Sequence, residues 1–133
     1  MENQRLLLIS TSITLVIVRA WETIMVVFFE NSSLWQTVKN DNLEHYQLGF
    51  LLFIISFIFS NMLSNKSRIV ICGVGIGLII DEIHYLLSVV FRFPYTFNSS
   101  QEWFSVLIIY FVFLITFYIY HRVKILSKSK ANQ

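Results

Sequence analysis

Arg19, Glu22, Asp81, Glu82 and His84 are ionisable side chains set inside long apolar stretches of the chain. Charges in hydrocarbon are expensive, so residues of this kind mark proton or ion sites, catalytic groups or polar contacts between helices. One arginine stands against the carboxylates of Glu22, Asp81 and Glu82, and a neutral His84 adds nothing to the balance. Uncompensated carboxylates in a low dielectric take up protons or recruit a cation. With His45 at the mouth of the second apolar stretch, the available donors are Glu22, His45, Asp81, Glu82 and His84. Hard oxygens joined by imidazole suit zinc, manganese or iron better than copper, so a divalent metal ion is the cofactor such a set would take. The chain has Asp81-x-x-His84 rather than the Glu-x-x-His pair of di-iron bundles, and its carboxylate is one methylene shorter.

The elements that must carry these groups are helices in a bilayer. Of 133 residues, 56% are hydrophobic, 17% aromatic and only 14% charged, a balance that excludes a water-soluble globule of this size. Hydropathy divides the chain into four spans, at about 6–29, 46–63, 69–91 and 103–121, each meeting the ~20-residue length needed to cross hydrocarbon as a helix. The expected fold is all-α, a single four-span membrane domain over 1–133 in which four helices form a bundle. The first span lacks a small-residue cleavage site at Phe29-Glu30-Asn31, so it reads as a retained helix. Cys72 is alone and reads as a small packing residue.

Lysines and arginines fall unevenly between the spans. Arg5, Lys66, Arg68, Arg122, Lys124, Lys128 and Lys130 lie on one side, against Lys39 and Arg92 on the other. The positive-inside rule then puts both termini in the cytoplasm of a multi-pass cell-membrane protein. Asp41, Glu44 and Glu102 fall outside on this reading, and Trp35, Trp103, Tyr95 and Tyr120 lie at interfaces. The sequons at Asn31 and Asn98 land on the outer loops, and the basic tail reads as a topology anchor.

Gly73, Gly77, Asp81, His84 and Ser88 recur at helical spacing and form one narrow stripe on the third span. Its glycines have the small-xxx-small spacing that lets helix backbones approach closely. A similar stripe on the second span, His45, Gly49, Ser56 and Ser60, is expected to meet it. The Gly73-Val-Gly-Ile-Gly77 run has no preceding strand and is not a dinucleotide fingerprint. At ~1.5 Å of rise per residue, Arg19 and Asp81 both lie roughly 15 Å below the outer helix ends, which predicts an Arg19–Asp81 ion pair. Glu22 and His84 share a shallower level, and Arg19 can alternatively neutralise Glu22 at i, i+3. Glu82 points about 100° away from Asp81 on an ideal helix, toward a different neighbour.

His45-Tyr-Gln-Leu-Gly49 together with Gly73-Val-Gly-Ile-Gly-Leu-Ile-Ile-Asp-Glu82 resembles a pattern of small, uncharacterised four-helix prokaryotic membrane proteins, His-x-x-x-Gly followed by Gly-x-Gly-x-Gly-Leu-x-x-Asp-Glu. The resemblance covers the second and third spans and implies no activity. What it implies is that His45, Asp81 and Glu82 belong to one site. Glu44 stands where that pattern often has a further histidine.

Three functions are compatible with these features. The first is a membrane protein whose outward-opening carboxylate and histidine site binds protons or a cation, in the manner of a transporter. Four short helices make a thin wall, so transport implies a homo-oligomer. The second is a metal- or acid-base-dependent enzyme acting on a lipid, and the sequence leaves the choice between enzyme and non-enzyme open. The third is a structural or regulatory subunit docked on a membrane partner protein. Nucleic acid is excluded as a partner, because no basic face with interleaved stacking residues lies outside the spans.

Overall fold

The computed structural model describes residues 2–29, 32, 45–92 and 100–131, with side chains of the last helix described at 100–120 and 122–123. Lys39, Asp41, Glu44, Trp35, Pro94, Tyr95 and the sequon asparagines Asn31 and Asn98 lie outside the described residues. All regular structure among the described residues is helical: α1 Glu2–Phe29, α2 His45–Ile58, α3 Asn65–Asp81, α4 Ile83–Phe91 and α5 Ser100–Ala131.

Two helices are long and apolar enough to cross a membrane, Glu2–Phe29 and Ser100–Tyr120. The expected third span is not one helix. It is α3 and α4, bent by 53° at Glu82, and the pair passes the same test of length and apolarity only when taken together. The expected second span is shortened to the 14 residues of α2, ending at Ile58.

Contacts along the helices fix their directions. Lys66 pairs with Glu2 at 2.7 Å near the starts of α3 and α1, and Asp81 meets Arg19 further along, so these two helices run parallel. α2 runs against α3, with His45 beside Asp81 and Ser56 beside Cys72. α5 runs against α1, with Glu102 beside Arg19 and Tyr110 Oη 2.5 Å from Ser12 Oγ.

Burial is inverted relative to a protein in water. Thr11, Arg19, Glu22, Ser56, Asp81 and Glu102 are buried, while Val16, Phe28, Phe57, Phe104 and Phe111 are exposed. Large exposed apolar surface is what a hydrocarbon solvent requires and water does not tolerate. The apolar core is small, built on Leu15, Ile80 and Val106 from α1, α3 and α5. Some of the hydroxyls that enter helix interfaces are satisfied by the preceding turn. Ser10 Oγ donates to Leu6 O at 2.9 Å and Thr14 Oγ1 to Ser10 O at 2.9 Å, whereas the Thr11 hydroxyl between them is buried without a hydrogen-bond partner among the described residues.

α3 is the central helix and packs on two neighbours through different glycines. A Cβ on Gly73 would lie 1.8 Å from Ser10 Oγ, and one on Gly77 would lie 2.8 Å from Thr14 Cβ, so this face carries α1. A Cβ on Gly75 would lie 2.8 Å from Gly49 O, and one on Gly49 would lie 2.7 Å from Gly75 O, so α2 sits on the opposite glycine face. The expected meeting of the Gly73 stripe with the second span is thereby corrected for its glycines. Gly73 and Gly77 face α1, and it is Gly75, off that stripe, that admits α2, while Asp81 of the stripe does meet His45 of α2.

Candidate functional site: a carboxylate and histidine cluster at a helix break

α3 ends at Asp81, and Glu82, at φ −90° and ψ 11°, forms the corner before α4. The backbone bonds across the corner run from Glu82 N–H to Leu78 O at 3.4 Å and from Leu86 N–H to Glu82 O at 3.0 Å. The Asp81 carbonyl accepts a hydrogen bond from Arg19 Nη2. A side chain that takes a carbonyl at a helix end is an identifiable cause of a sharp bend. A guanidinium is well suited to the task, because the end of a helix carries unsatisfied carbonyls and partial negative charge.

The same guanidinium reaches three carboxylates. Arg19 Nε lies 2.6 Å from Asp81 Oδ1, Nη1 lies 3.2 Å from Glu22 Oε2, and Nη1 donates to Glu102 Oε1 at 2.7 Å. The Trp103 ring lies 5.4 Å from the guanidinium carbon and adds a cation–π contact. Asp81 is fully buried, and Arg19, Glu22, Glu82 and Glu102 are all buried with it.

His45, the first residue of α2, enters this group from the side opposite Arg19. Its Nδ1 lies 3.1 Å from Asp81 Oδ2, 3.5 Å from Glu22 Oε1 and 3.5 Å from Glu82 Oε1. Its side chain is 31% exposed, whereas Asp81 is at 0%, so the imidazole forms the mouth of the cluster. With a proton on Nδ1 the ring donates to the carboxylates. With the proton on Nε2, the same atom offers a lone pair to a cation.

Glu22, His45, Asp81 and Glu82 each offer one ligand atom, and all four atoms lie within 4.8 Å of one another. Ligand atoms on arms of ~2.1 Å sit ~3.4 Å apart around a tetrahedral ion, and closer around an octahedral one. The 3.1–3.5 Å separations from His45 Nδ1 match that scale. These four residues can therefore hold a metal ion, with Arg19 and Glu102 orienting Asp81 from behind.

The structure redistributes several expected roles. The Arg19–Asp81 contact is present, together with the Arg19–Glu22 contact that had been its alternative. His84 is not one of the four residues whose ligand atoms lie together, and its Nδ1 lies 3.0 Å from Ser105 Oγ on α5. Glu82 joins Asp81 at His45 of α2, its Oε1 3.5 Å from His45 Nδ1, at the corner where the 53° bend interrupts the ideal helical step. Glu102 and Trp103 were read as outer-loop and interfacial residues, yet Glu102 is buried on Arg19. Residue type and spacing carried no signal for this contact. Charge balance argues against a fourth acid beside one arginine, and Glu102 in the first turn of the last helix lay just outside the expected span, so neither pointed to its burial.

Fold and cluster together define an all-helical protein, with helices apolar enough to cross a membrane, that buries an acidic and histidine group around one arginine. No protein family, no curated protein and no solved structure matches the chain.

Proposed function

We propose that the chain is a four-span bundle of the cell membrane with both termini in the cytoplasm, and that its cluster binds a divalent cation or protons from the opposite side, as a transporter-like unit does. One observation carries this reading. Three buried carboxylates, Glu22, Asp81 and Glu102, meet a single guanidinium, and a fourth, Glu82, joins Glu22 and Asp81 at His45, which stands at their opening. With every carboxylate ionised and His45 neutral, the group holds three uncompensated negative charges. That state is far too costly in a low dielectric, so protons or a cation must share the site.

The broken helix supports the same reading. Interrupted helices in membranes are tolerated where they line an ion or substrate site, because the freed backbone groups then have partners. Transport through so thin a wall requires a homo-oligomer, or a partner protein in the membrane. The lipid-directed enzyme reading draws on the same four ligands, with Asp81 or Glu82 as base.

The test has two parts. Resistance of the full chain to alkaline carbonate extraction checks that it is integral to the bilayer. Elemental analysis of the detergent-purified protein, with titration of zinc and manganese against proton release, checks the occupant. Bound metal, or proton release on metal addition that Asp81→Asn abolishes in a folded variant, supports the reading. A folded wild type that neither binds metal nor exchanges protons at the cluster overturns it.

A further inference from the structure

On the face of α3 that carries Ile76, Ile79 and Ile80, a groove separates α2 from α5. Its first part, about 540 Å³, is lined only by hydrophobic residues, from Phe50 and Ile109 to Phe113. Phe113 also lines the next part, of about 230 Å³, whose Phe117 and Tyr120 in turn line a third, of about 530 Å³. The three hollows thus follow one another along α5 from Ile109 to Tyr120, sharing Phe113, Phe117 and Tyr120 in their linings. The eleven helical steps from Ile109 to Tyr120, at ~1.5 Å each, span ~16 Å, the depth of one leaflet of a ~30 Å hydrocarbon core.

The character of the lining changes at the Tyr120 end. There Asn3 and Gln4 from α1, Ser60 after α2 and Arg68 from the first turns of α3 stand over an apolar floor. Arg68 donates to Asn65 Oδ1 at 3.3 Å and is exposed at the groove, whereas nearby Lys66 is taken by Glu2 at 2.7 Å. A guanidinium fork with amide and hydroxyl groups beside it is suited to a phosphodiester, and an apolar trough one leaflet deep is suited to acyl chains.

We infer that this groove is a binding site for one anionic phospholipid from the leaflet at the Arg68 end, with its phosphate at Arg68 and its acyl chains lying between α2 and α5. The lining of this site includes none of Glu22, His45, Asp81 and Glu82, so it is separate from the cation cluster. The inference rests on the bilayer-spanning reading of the chain, though not on what the cluster binds.

The experiment is native mass spectrometry of the full chain in a neutral detergent, incubated with equal amounts of phosphatidylglycerol and phosphatidylcholine carrying identical acyl chains. The wild type is expected to retain one phosphatidylglycerol with about fivefold preference, the selectivity of one well-placed cation near a lipid surface. Arg68→Gln, a change at an exposed side chain, is expected to bring that ratio close to one. Ile76→Trp, which fills the trough, is expected to lower retention of both lipids. Arg5→Gln alters a cation outside the groove and is expected to leave the ratio as it was. Equal retention of the two lipids by the wild type, an Arg68→Gln ratio like that of the wild type, or an equal loss in Arg5→Gln overturns the proposal. So does a lipid-free dimer, which would mean that a second copy fills the groove. A chain released from membranes by carbonate fails the spanning reading instead, whatever its lipid ratio.

Discussion

Arg19 Nη1 donates to Glu102 Oε1 at 2.7 Å, and this bond ties the start of α5 to the middle of α1 across 83 residues of sequence. Arg19 also serves Asp81 and Glu22, so the two ends of the bond are not equivalent. Arg19→Met leaves four buried carboxylates without their internal cation. The expected loss is about 3–5 kcal/mol, seen as failure to accumulate folded protein in membranes. Glu102→Gln keeps an acceptor oxygen and relieves a crowd of negative charge, so its expected loss is about 1–2 kcal/mol. Thermal unfolding in detergent compares the two. Equal losses would mean that Arg19 is not the shared partner of the group.

His45 and His84 are separated in the same way. At a metal concentration of 100 times Kd, a site that binds only the folded state stabilises it by about 2.7 kcal/mol. That rise in unfolding midpoint on adding zinc or manganese is expected for the wild type and for His84→Ala, because His84 faces Ser105. It is expected to vanish in His45→Ala, which removes the nitrogen at the mouth of the cluster. A midpoint shift lost in His84→Ala and kept in His45→Ala would reverse the assignment.

Gly49 and Gly75 each face the carbonyl of the other, at 2.7 and 2.8 Å from the position of an added Cβ. Backbone cannot rotate away as a side chain can, so either Gly75→Ala or Gly49→Ala must move α2 off α3. The expected cost is about 1–3 kcal/mol for each, the usual range for overpacking. Because one displaced helix accommodates both methyls, the double variant is expected to cost less than the sum. Strict additivity in thermal unfolding would show that the two helices are not in contact there.

At the other end of α1, the hydrogen bond from Lys66 holds the Glu2 carboxyl below its ordinary pKa, and the same bond raises Lys66. The Glu2 contribution to stability is present above the ordinary carboxylate pKa and is lost as pH falls through the lowered value. The Lys66 contribution is present below the ordinary ammonium value and is lost as pH rises through the raised one. Both groups are exposed, with side chains 76% and 67% accessible, and water and salt screen the pair. Glu2→Gln is therefore expected to move the unfolding midpoint by under about 2 °C at neutral pH. A larger shift would show that this end of the molecule is shielded from water.

Residue type and period along the chain fixed the helical class, the apolar exterior and the costliness of Arg19, Glu22, Asp81 and Glu82. Those properties depend on what each residue is and on its neighbours within a turn or two, so they are present in the linear order. His45, Asp81 and Glu82 were candidate ligands by residue type, and the meeting of Arg19 with Asp81 followed from counting residues along two helices. Tertiary structure decided the rest. The bend at Glu82 is met by a guanidinium from α1 on the Asp81 carbonyl, and at that corner Glu82 lies with His45 of α2. Glu102 acquired its partner only when α5 docked, and Gly75 rather than Gly73 received α2 because helix faces are chosen by which neighbour arrives. Contacts between helices depend on rotation and tilt, which a one-dimensional pattern does not encode and which packing sets all at once.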